Sequence, residues 1–257
     1  FFSSRRRHTR LQGDWSQTCA LPIYAPEILR QELRRPKWQR EAIAIGTASD
    51  PYEPAEAQYE LTRRILQVLR EFENPVSITT KGVLVRRDLD VLQELGDVAD
   101  VRVTFSVGSI DEDVWKLTEP GAPSPMARLE AMQFLVENGV QAGVMMAPLL
   151  PGISDNAESI DAVAEAAADH GAQYLGANVL FLKPGSREWF MPMLSEAYPR
   201  LALGYNSLYQ KTYAPRDYTR TVLDLVDESR RNWGLATKTE PRRMRVQQRQ
   251  LELALTA

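Results

Sequence analysis

Four groups of polar residues directly follow apolar runs that predict buried strands. These groups are Ser49 with Asp50, Thr80 with Lys81, Ser106, and Lys183. Parallel α/β barrels hold their chemistry at the carboxyl ends of the strands, so this pattern favours a ligand bound above the sheet. Asp50 and Lys81 could also work as an acid and a base. The alternative is that Ser49 and Asp50 only form a turn and cap a helix, and that the lysines are ordinary solvated side chains.

Strand-like and helix-like patterns alternate along the chain and would position these groups. The predicted strands are Ala42–Ile45, Pro75–Thr80, Val101–Val107, Gln141–Pro148 and Ala172–Phe181. The predicted helices are Pro26–Arg35, Ala55–Phe72, Arg87–Leu95, Met126–Asn138, Asn156–His170, Ser186–Leu194, Tyr198–Tyr209 and Tyr218–Trp233. A polar, proline-rich loop is predicted over Asp111–Pro125. This alternation predicts an α/β fold with a parallel sheet, either an open doubly wound sheet or a barrel.

Composition and short motifs exclude several classes of protein. The chain has 257 residues, of which 44% are hydrophobic and 25% charged, as in ordinary globular proteins. No apolar run approaches the ~20 residues of a membrane span, so no membrane partner and a cytoplasmic location are expected. The net charge of −3 does not indicate a nucleic-acid-binding surface across the whole protein. No GxGxxG or GxxxxGK(S/T) loop follows the first strand, which disfavours dinucleotide and nucleoside-triphosphate sites.

The two ends of the chain differ from its body. Residues 1–23 resemble a translated sequencing adapter, which predicts that this segment is not native and that the native chain begins near Tyr24. Cys19, the single cysteine, would then have no role, and no metal site is expected. Residues 236–257 form a basic tail that is predicted to be loose. The body is therefore assigned to residues 24–235.

Five segments of the body carry a family resemblance. They are GTASDPYEPAE from residue 46, PVSITTKG from 75, VRVTFSV from 101, EPGAPSPMARLEAM from 119 and MMAPLLPGISD from 145. In this order and spacing they resemble the radical S-adenosylmethionine (SAM) superfamily, in its spore photoproduct lyase-like or "DNA repair photolyase" branch. The resemblance extends from about Tyr24 to about Trp233.

The resemblance implies a partial (β/α)6, TIM-like barrel of parallel strands with a helical C-terminal extension. A CxxxCxxC loop after the first barrel strand would hold a [4Fe–4S] cluster, at which SAM is reductively cleaved. The resulting 5′-deoxyadenosyl radical abstracts hydrogen from the substrate. An electron donor such as flavodoxin or ferredoxin, and a nucleic-acid substrate in a reaction like DNA photoproduct repair, are the implied partners.

The resemblance also implies cofactor-binding residues. Ser49 and Asp50 match the polar pair that binds the SAM ammonium, and Lys81 matches the lysine that faces the SAM carboxylate. Other matching positions are Ser106 at a strand end, Glu119 and Arg128 as a pair near the ribose and carboxylate, Pro148 and Leu149 beside the adenine, and more weakly Asn178 and Lys183. Tyr205, Tyr209, Tyr213 and Tyr218 could line a substrate path, but packing roles are predicted for each. No catalytic residue is assigned.

The chain departs from the family pattern because it contains no CxxxCxxC motif. We therefore expect the first strand and its cluster loop to be missing, the parent protein to be a radical SAM enzyme of lyase type, and this chain to be inactive. Two alternatives stay open. One is a cluster-free barrel that acts as a binding module, for nucleic acid through Arg242, Arg243, Arg245 and Arg249 of the tail. The other is an unrelated barrel enzyme.

Overall fold

The computed structural model describes residues 23–237. The strands are β1 Ile43–Ile45, β2 Val76–Thr80, β3 Val101–Ser106, β4 Ala142–Leu149 and β5 Leu175–Val179. The helices are α1 Ala25–Leu33, α2 Glu56–Tyr59, α3 Leu61–Glu71, a 3-10 helix Val83–Asp88, α4 Leu89–Gly96, α5 Glu112–Thr118, α6 Pro125–Glu137, α7 Ala157–Asp169, α8 Ser186–Ala197, α9 Pro199–Leu208 and α10 Arg216–Asn232. None of these helices has the length and apolar content that crossing a membrane requires.

The strands form one parallel sheet in the order β1-β2-β3-β4-β5. Each strand therefore lies beside its neighbour in sequence, and the strand order never reverses. A doubly wound sheet reverses at its switch point, so the ascending order confirms the barrel-like alternative. Beside β5, Ala236 extends the sheet by a parallel bridge, in which its carbonyl accepts the backbone N–H of Leu175 at 2.9 Å.

The two faces of the sheet differ in chemistry. On one face Ile45, Ile78, Val103 and Phe105 are at most 4% exposed, because the helices pack over them. The other, which we call the polar face, carries Thr79, Thr104, Ser106, Met145 and Asn178. Strand alternation places these side chains together. The fold thus separates an apolar core from a sheet face that carries polar side chains.

The structure differs from the sequence prediction at a predicted helix and at a predicted loop. The predicted helix Ala55–Phe72 is interrupted at Glu60, whose φ of 48° is left-handed. The helix restarts because the carboxylate of Glu56, buried in the turn, accepts the backbone N–H groups of Thr62 and Arg63. The predicted loop Asp111–Pro125 contains helix α5, which is capped by the Asp111 carboxylate.

Two predictions concern segments at the chain ends. The adapter-like segment, apart from Ile23, and the tail from residue 238 with its four arginines lie outside the described residues.

Gly46 ends β1 in a conformation that other residues avoid. Its φ is +90°, and a Cβ at this position would lie 1.9 Å from the carbonyl oxygen of Thr79. We predict that Gly46→Ala lowers the free energy of unfolding by about 1–3 kcal/mol or more. Urea denaturation measures this change. Gly96→Ala is the matched control. Gly96 is the last residue of α4, and beyond its chain neighbours and its own helix backbone no atom lies within 4 Å of the added methyl group, so the substitution should be neutral or stabilise by up to about 1 kcal/mol. Equal effects of the two substitutions would contradict this account.

Candidate functional site

The carboxylate of Asp50 joins the ends of β1 and β2. Its Oδ1 accepts the Tyr52 backbone N–H at 2.9 Å and the Thr80 hydroxyl at 2.6 Å, while its Oδ2 accepts the Lys81 backbone N–H at 2.6 Å. We call this set of three bonds the Asp50 clasp. Both oxygens are engaged, so the carboxylate fixes the main chain where the Lys81 side chain begins.

Lys81, Glu119 and Arg128 form a continuous chain of charges. The Lys81 ammonium lies 2.6 Å from Glu119 Oε1, and Arg128 Nη2 donates to Glu119 Oε2 at 2.5 Å. The side chain of Lys81 is 34% exposed, that of Glu119 15% and that of Arg128 1%. The charges therefore run from the protein interior to the surface, and Lys81 is the most exposed member.

Arg128 is fully buried and its guanidinium is hydrogen-bonded on three sides. In addition to Glu119, it donates to the carbonyls of Pro123 and Ser106, each at 2.8 Å. These bonds tie the loop before α6 to the end of β3. Arg128 thus acts on the site through Glu119, whose carboxylate it holds in place.

A cavity of about 410 Å³ opens beside this chain of charges. The predicted site residues Lys81, Glu119 and Pro148 line it. Other parts of the wall are aromatic or hydroxyl-bearing and were not predicted from the sequence: Trp115, Trp189, Phe190, Ser109, Thr118, Ser154 and Ser186. The two charged lining residues, Lys81 and Glu119, are thus paired with each other, and much of the rest of the wall is apolar.

The remaining predicted residues lie outside the large cavity. Ser49 and Asp50 line a second cavity of about 100 Å³. Ser106 is 8% exposed, and within the described part of the chain its hydroxyl has no hydrogen-bond partner. Leu149 is fully buried in the core and contributes its carbonyl, which accepts the Leu180 N–H at 2.9 Å.

An exposed aromatic pair lies after β5. The rings of Phe181 and Tyr213 are 5.8 Å apart, and the Lys183 ammonium is 5.3 Å from the Phe181 ring centre. We call these three residues the aromatic platform. Tyr213 is 65% exposed and Phe181 42%, so the predicted packing role is wrong for Tyr213. Asn178, also exposed, directs its amide to Met145 Sδ at 3.8 Å.

The other three tyrosines have the predicted packing roles. The Tyr205 hydroxyl donates to the carbonyl of Pro151 at 2.8 Å, and the Tyr209 hydroxyl to that of Leu180 at 2.7 Å. Tyr218 donates to the Asp155 carboxylate. Burial is the main cause that raises the pKa of each phenol above its usual value. These phenols therefore stay protonated. Tyr205 and Tyr218 anchor α9 and α10 to the loop after β4, and Tyr209 anchors the end of α9 to the segment after β5.

Comparison with known proteins identifies the family. The sequence model of the radical SAM superfamily matches residues 20–166, which is more than half of the chain. The chain belongs to the radical SAM superfamily. Members of this superfamily use SAM and a [4Fe–4S] cluster.

Relatives with similar sequences occur in bacteria and in a virus. The chain is 38% identical over 200 residues to the uncharacterized protein Rv2578c of Mycobacterium tuberculosis, a match that covers 77% of this chain and 59% of that protein. It is 28% identical over 189 residues to an uncharacterized protein of Acidianus two-tailed virus, covering 72% of this chain and 61% of the viral one. This radical SAM chain therefore spans about three-fifths of the length of these relatives.

Solved structures confirm the fold. Spore photoproduct lyase complexed with dinucleoside spore photoproduct superposes with a TM-score of 0.61 and 16% identity, covering 82% of this chain and 63% of that one. Streptococcus suis SuiB bound to S-adenosylmethionine gives a TM-score of 0.55 and 13% identity, covering 88% and 45%. The five-stranded parallel sheet is thus consistent with the partial TIM-like barrel of radical SAM proteins.

The residues of this radical SAM chain do not fit a [4Fe–4S] cluster. Such a cluster is held by cysteine thiolates, and the sequence contains one cysteine. Within residues 23–237, no group of His, Cys, Asp and Glu side chains is arranged to hold a metal ion.

The chain of charges from Lys81 through Glu119 to Arg128 should contribute to stability. Arg128→Met leaves Glu119 and two carbonyls without their buried donor, so we expect a loss of about 3 kcal/mol or more in the free energy of unfolding. Arg70→Met is the control, because Arg70 forms an ion pair with Glu94 in which both side chains are about half exposed. Its loss should stay below about 1 kcal/mol. Urea denaturation measures both, and a similar loss in the two variants would show that the Arg128 network contributes no special stability.

Proposed function

We propose that the large cavity is the SAM site of a radical SAM enzyme. The observation that carries this proposal is the Lys81–Glu119 ion pair in the wall of a cavity of about 410 Å³ that aromatic side chains also line. Arg128 holds the Glu119 carboxylate of this pair in place. Ligand cavities commonly have volumes of about 300–1,000 Å³ and combine apolar walls with a few fixed polar groups. The cavity therefore suits a ligand that is charged at one end and aromatic at the other.

SAM has this distribution of groups. Its carboxylate would pair with the Lys81 ammonium, and Glu119 would accept hydrogen bonds from the SAM ammonium or ribose hydroxyls. The indole rings of Trp115 and Trp189 provide faces for the adenine and for the sulfonium cation. Pro148 would flank the adenine through its backbone. Ser49 stays a proposed acceptor for the ammonium and Ser106 a proposed ligand contact, and both roles require the ligand to extend beyond the large cavity, which neither residue lines.

We propose that the full enzyme uses SAM to generate a radical that abstracts hydrogen from its substrate. An electron donor of the flavodoxin or ferredoxin type is the proposed partner, since reductive cleavage of SAM consumes an electron. Because this chain lacks the cluster thiolates, we propose that it binds SAM without cleaving it. The alternative of a cluster-free binding module predicts no iron uptake by the full-length relatives, which anaerobic reconstitution and iron analysis of Rv2578c would test.

Removing the Lys81 charge tests the SAM site. Lys81→Met should weaken SAM binding by about tenfold or more, because a hydrogen bond to a charged group contributes roughly 1.5–3 kcal/mol. Lys116→Met is the control, since Lys116 also pairs with a carboxylate, that of Glu112 at 2.7 Å, but lies on the exposed side of α5. Equilibrium dialysis of labelled SAM against the two variants measures the effect. An unchanged affinity in Lys81→Met would mean that Lys81 is an ordinary solvated lysine.

A nucleic-acid substrate is supported by the aromatic platform. Exposed aromatic rings stack on bases, and a neighbouring cation attracts phosphate. Phe181 and Tyr213 supply the rings and Lys183 the charge, and Leu182, which lies between Phe181 and Lys183, lines the cavity. The similarity to spore photoproduct lyase complexed with a dinucleoside photoproduct is in keeping with this proposal.

The aromatic platform makes a separate prediction. Tyr213→Ala should weaken binding of a fluorescent oligo(dT) strand by about fivefold or more, because stacking contributes about 1–3 kcal/mol per base. Tyr24→Ala is the control, since Tyr24 is 69% exposed but precedes helix α1. Fluorescence anisotropy at low and high salt measures the affinity. Equal affinities of the two variants would show that the aromatic platform does not contribute to binding of the strand.

A further inference from the structure

The Asp50 clasp uses three of the about four acceptor positions of its carboxylate. Three protein donors occupy the two oxygens, at 2.9, 2.6 and 2.6 Å. Two of these donors belong to Thr80 and Lys81 at the end of β2, so the clasp sets where the Lys81 side chain leaves the main chain. Asp50 also lines a different cavity from the one that Lys81 and Glu119 line.

We propose that Asp50 is a positioning residue that acts on the ligand through Lys81. The proposal rests on the SAM site proposed above. Without the clasp, the Lys81 backbone would lose its acceptor and the ammonium would no longer be held 2.6 Å from Glu119. Asp50 thereby contributes to ligand affinity without touching the ligand.

A buried network anchors the clasp. The Tyr52 hydroxyl donates to Asp88 Oδ2 at 3.2 Å, and Asp88, fully buried, also accepts from Arg63 and Arg87. Burial, with the Asp88 charge second, raises the pKa of the Tyr52 phenol well above its usual value, so the phenol stays a donor. A side chain at Gly82 would place a Cβ 2.6 Å from Tyr52 Cβ. Tyr52, two residues after Asp50, is therefore held through its phenol and packed closely against Gly82.

A double-mutant cycle separates positioning from direct contact. The variants are Asp50→Asn, Lys81→Met and the double variant, and the readout is SAM affinity of the chain by equilibrium dialysis. We expect each single substitution to weaken binding by about tenfold. The double variant should be no weaker than Lys81→Met alone, to within about twofold. Losses that multiply to about a hundredfold would mean that Asp50 contacts SAM directly and would overturn the proposal.

Two further variants distinguish loss of positioning from a general loss of structure. Asp161→Asn is the matched control, because the Asp161 carboxylate also accepts two side-chain donors, from Ser229 at 2.6 Å and Trp233 at 3.0 Å, but lies on α7. Its SAM affinity should be unchanged. Should Asp50→Asn fail to fold, Thr80→Val removes one clasp bond from a side chain that is 2% exposed and cannot reach a ligand. Its loss of affinity should vanish in the Lys81→Met background.

A ligand-free measurement keeps this proposal distinct from the SAM site itself. Acetylation of Lys81 by an N-hydroxysuccinimide ester is followed by peptide mass spectrometry, with Lys116 as internal reference. The rate at Lys81 should rise severalfold in Asp50→Asn, because its ion pair with Glu119 loosens. Absence of SAM binding by the parent chain would overturn the proposed function, whereas an unchanged acetylation rate would overturn the positioning role of Asp50.

Discussion

The site depends on the need to satisfy one buried guanidinium. A fully buried arginine is costly unless a carboxylate and further acceptors surround it. Arg128 meets this requirement with Glu119 and with the carbonyls of Pro123 and Ser106. Satisfying the charge therefore fixes the loop before α6 against the end of β3. It also presents the second oxygen of Glu119 to Lys81, so the ion pair at the cavity is a consequence of this burial.

Two networks converge on Lys81 from opposite sides. Arg128 and Glu119 hold its ammonium, while the Asp50 clasp holds its backbone. The first network lies at the end of β3 and the second at the ends of β1 and β2. Since adjacent parallel strands end at the same edge of the sheet, side chains distant in sequence meet there. The fold thereby keeps a flexible lysine side chain in a defined position.

Much of this arrangement could be predicted from the sequence, because it depends on strand ends. The apolar runs predicted the strands, and the family resemblance singled out Lys81, Glu119 and Arg128, which the structure brings together. The break at Glu60 could not be predicted, since it depends on the buried Glu56 carboxylate capping the next helix. Trp115 and Trp189 were missed because tertiary packing alone brings α5 and α8 to one cavity. Trp115, within α5 (Glu112–Thr118), was the one sequence feature that could have indicated an aromatic wall.

The most direct test of the SAM site is to find where the adenine lies. Photolabelling of the chain with an 8-azidoadenine analogue of SAM, followed by peptide mapping, gives this position without any substitution. If SAM binds in this cavity, the peptides that contain Trp115 or Trp189 should be labelled, and excess SAM should protect them. Protectable labelling confined to peptides remote from the Lys81–Glu119 cavity would contradict this placement of SAM.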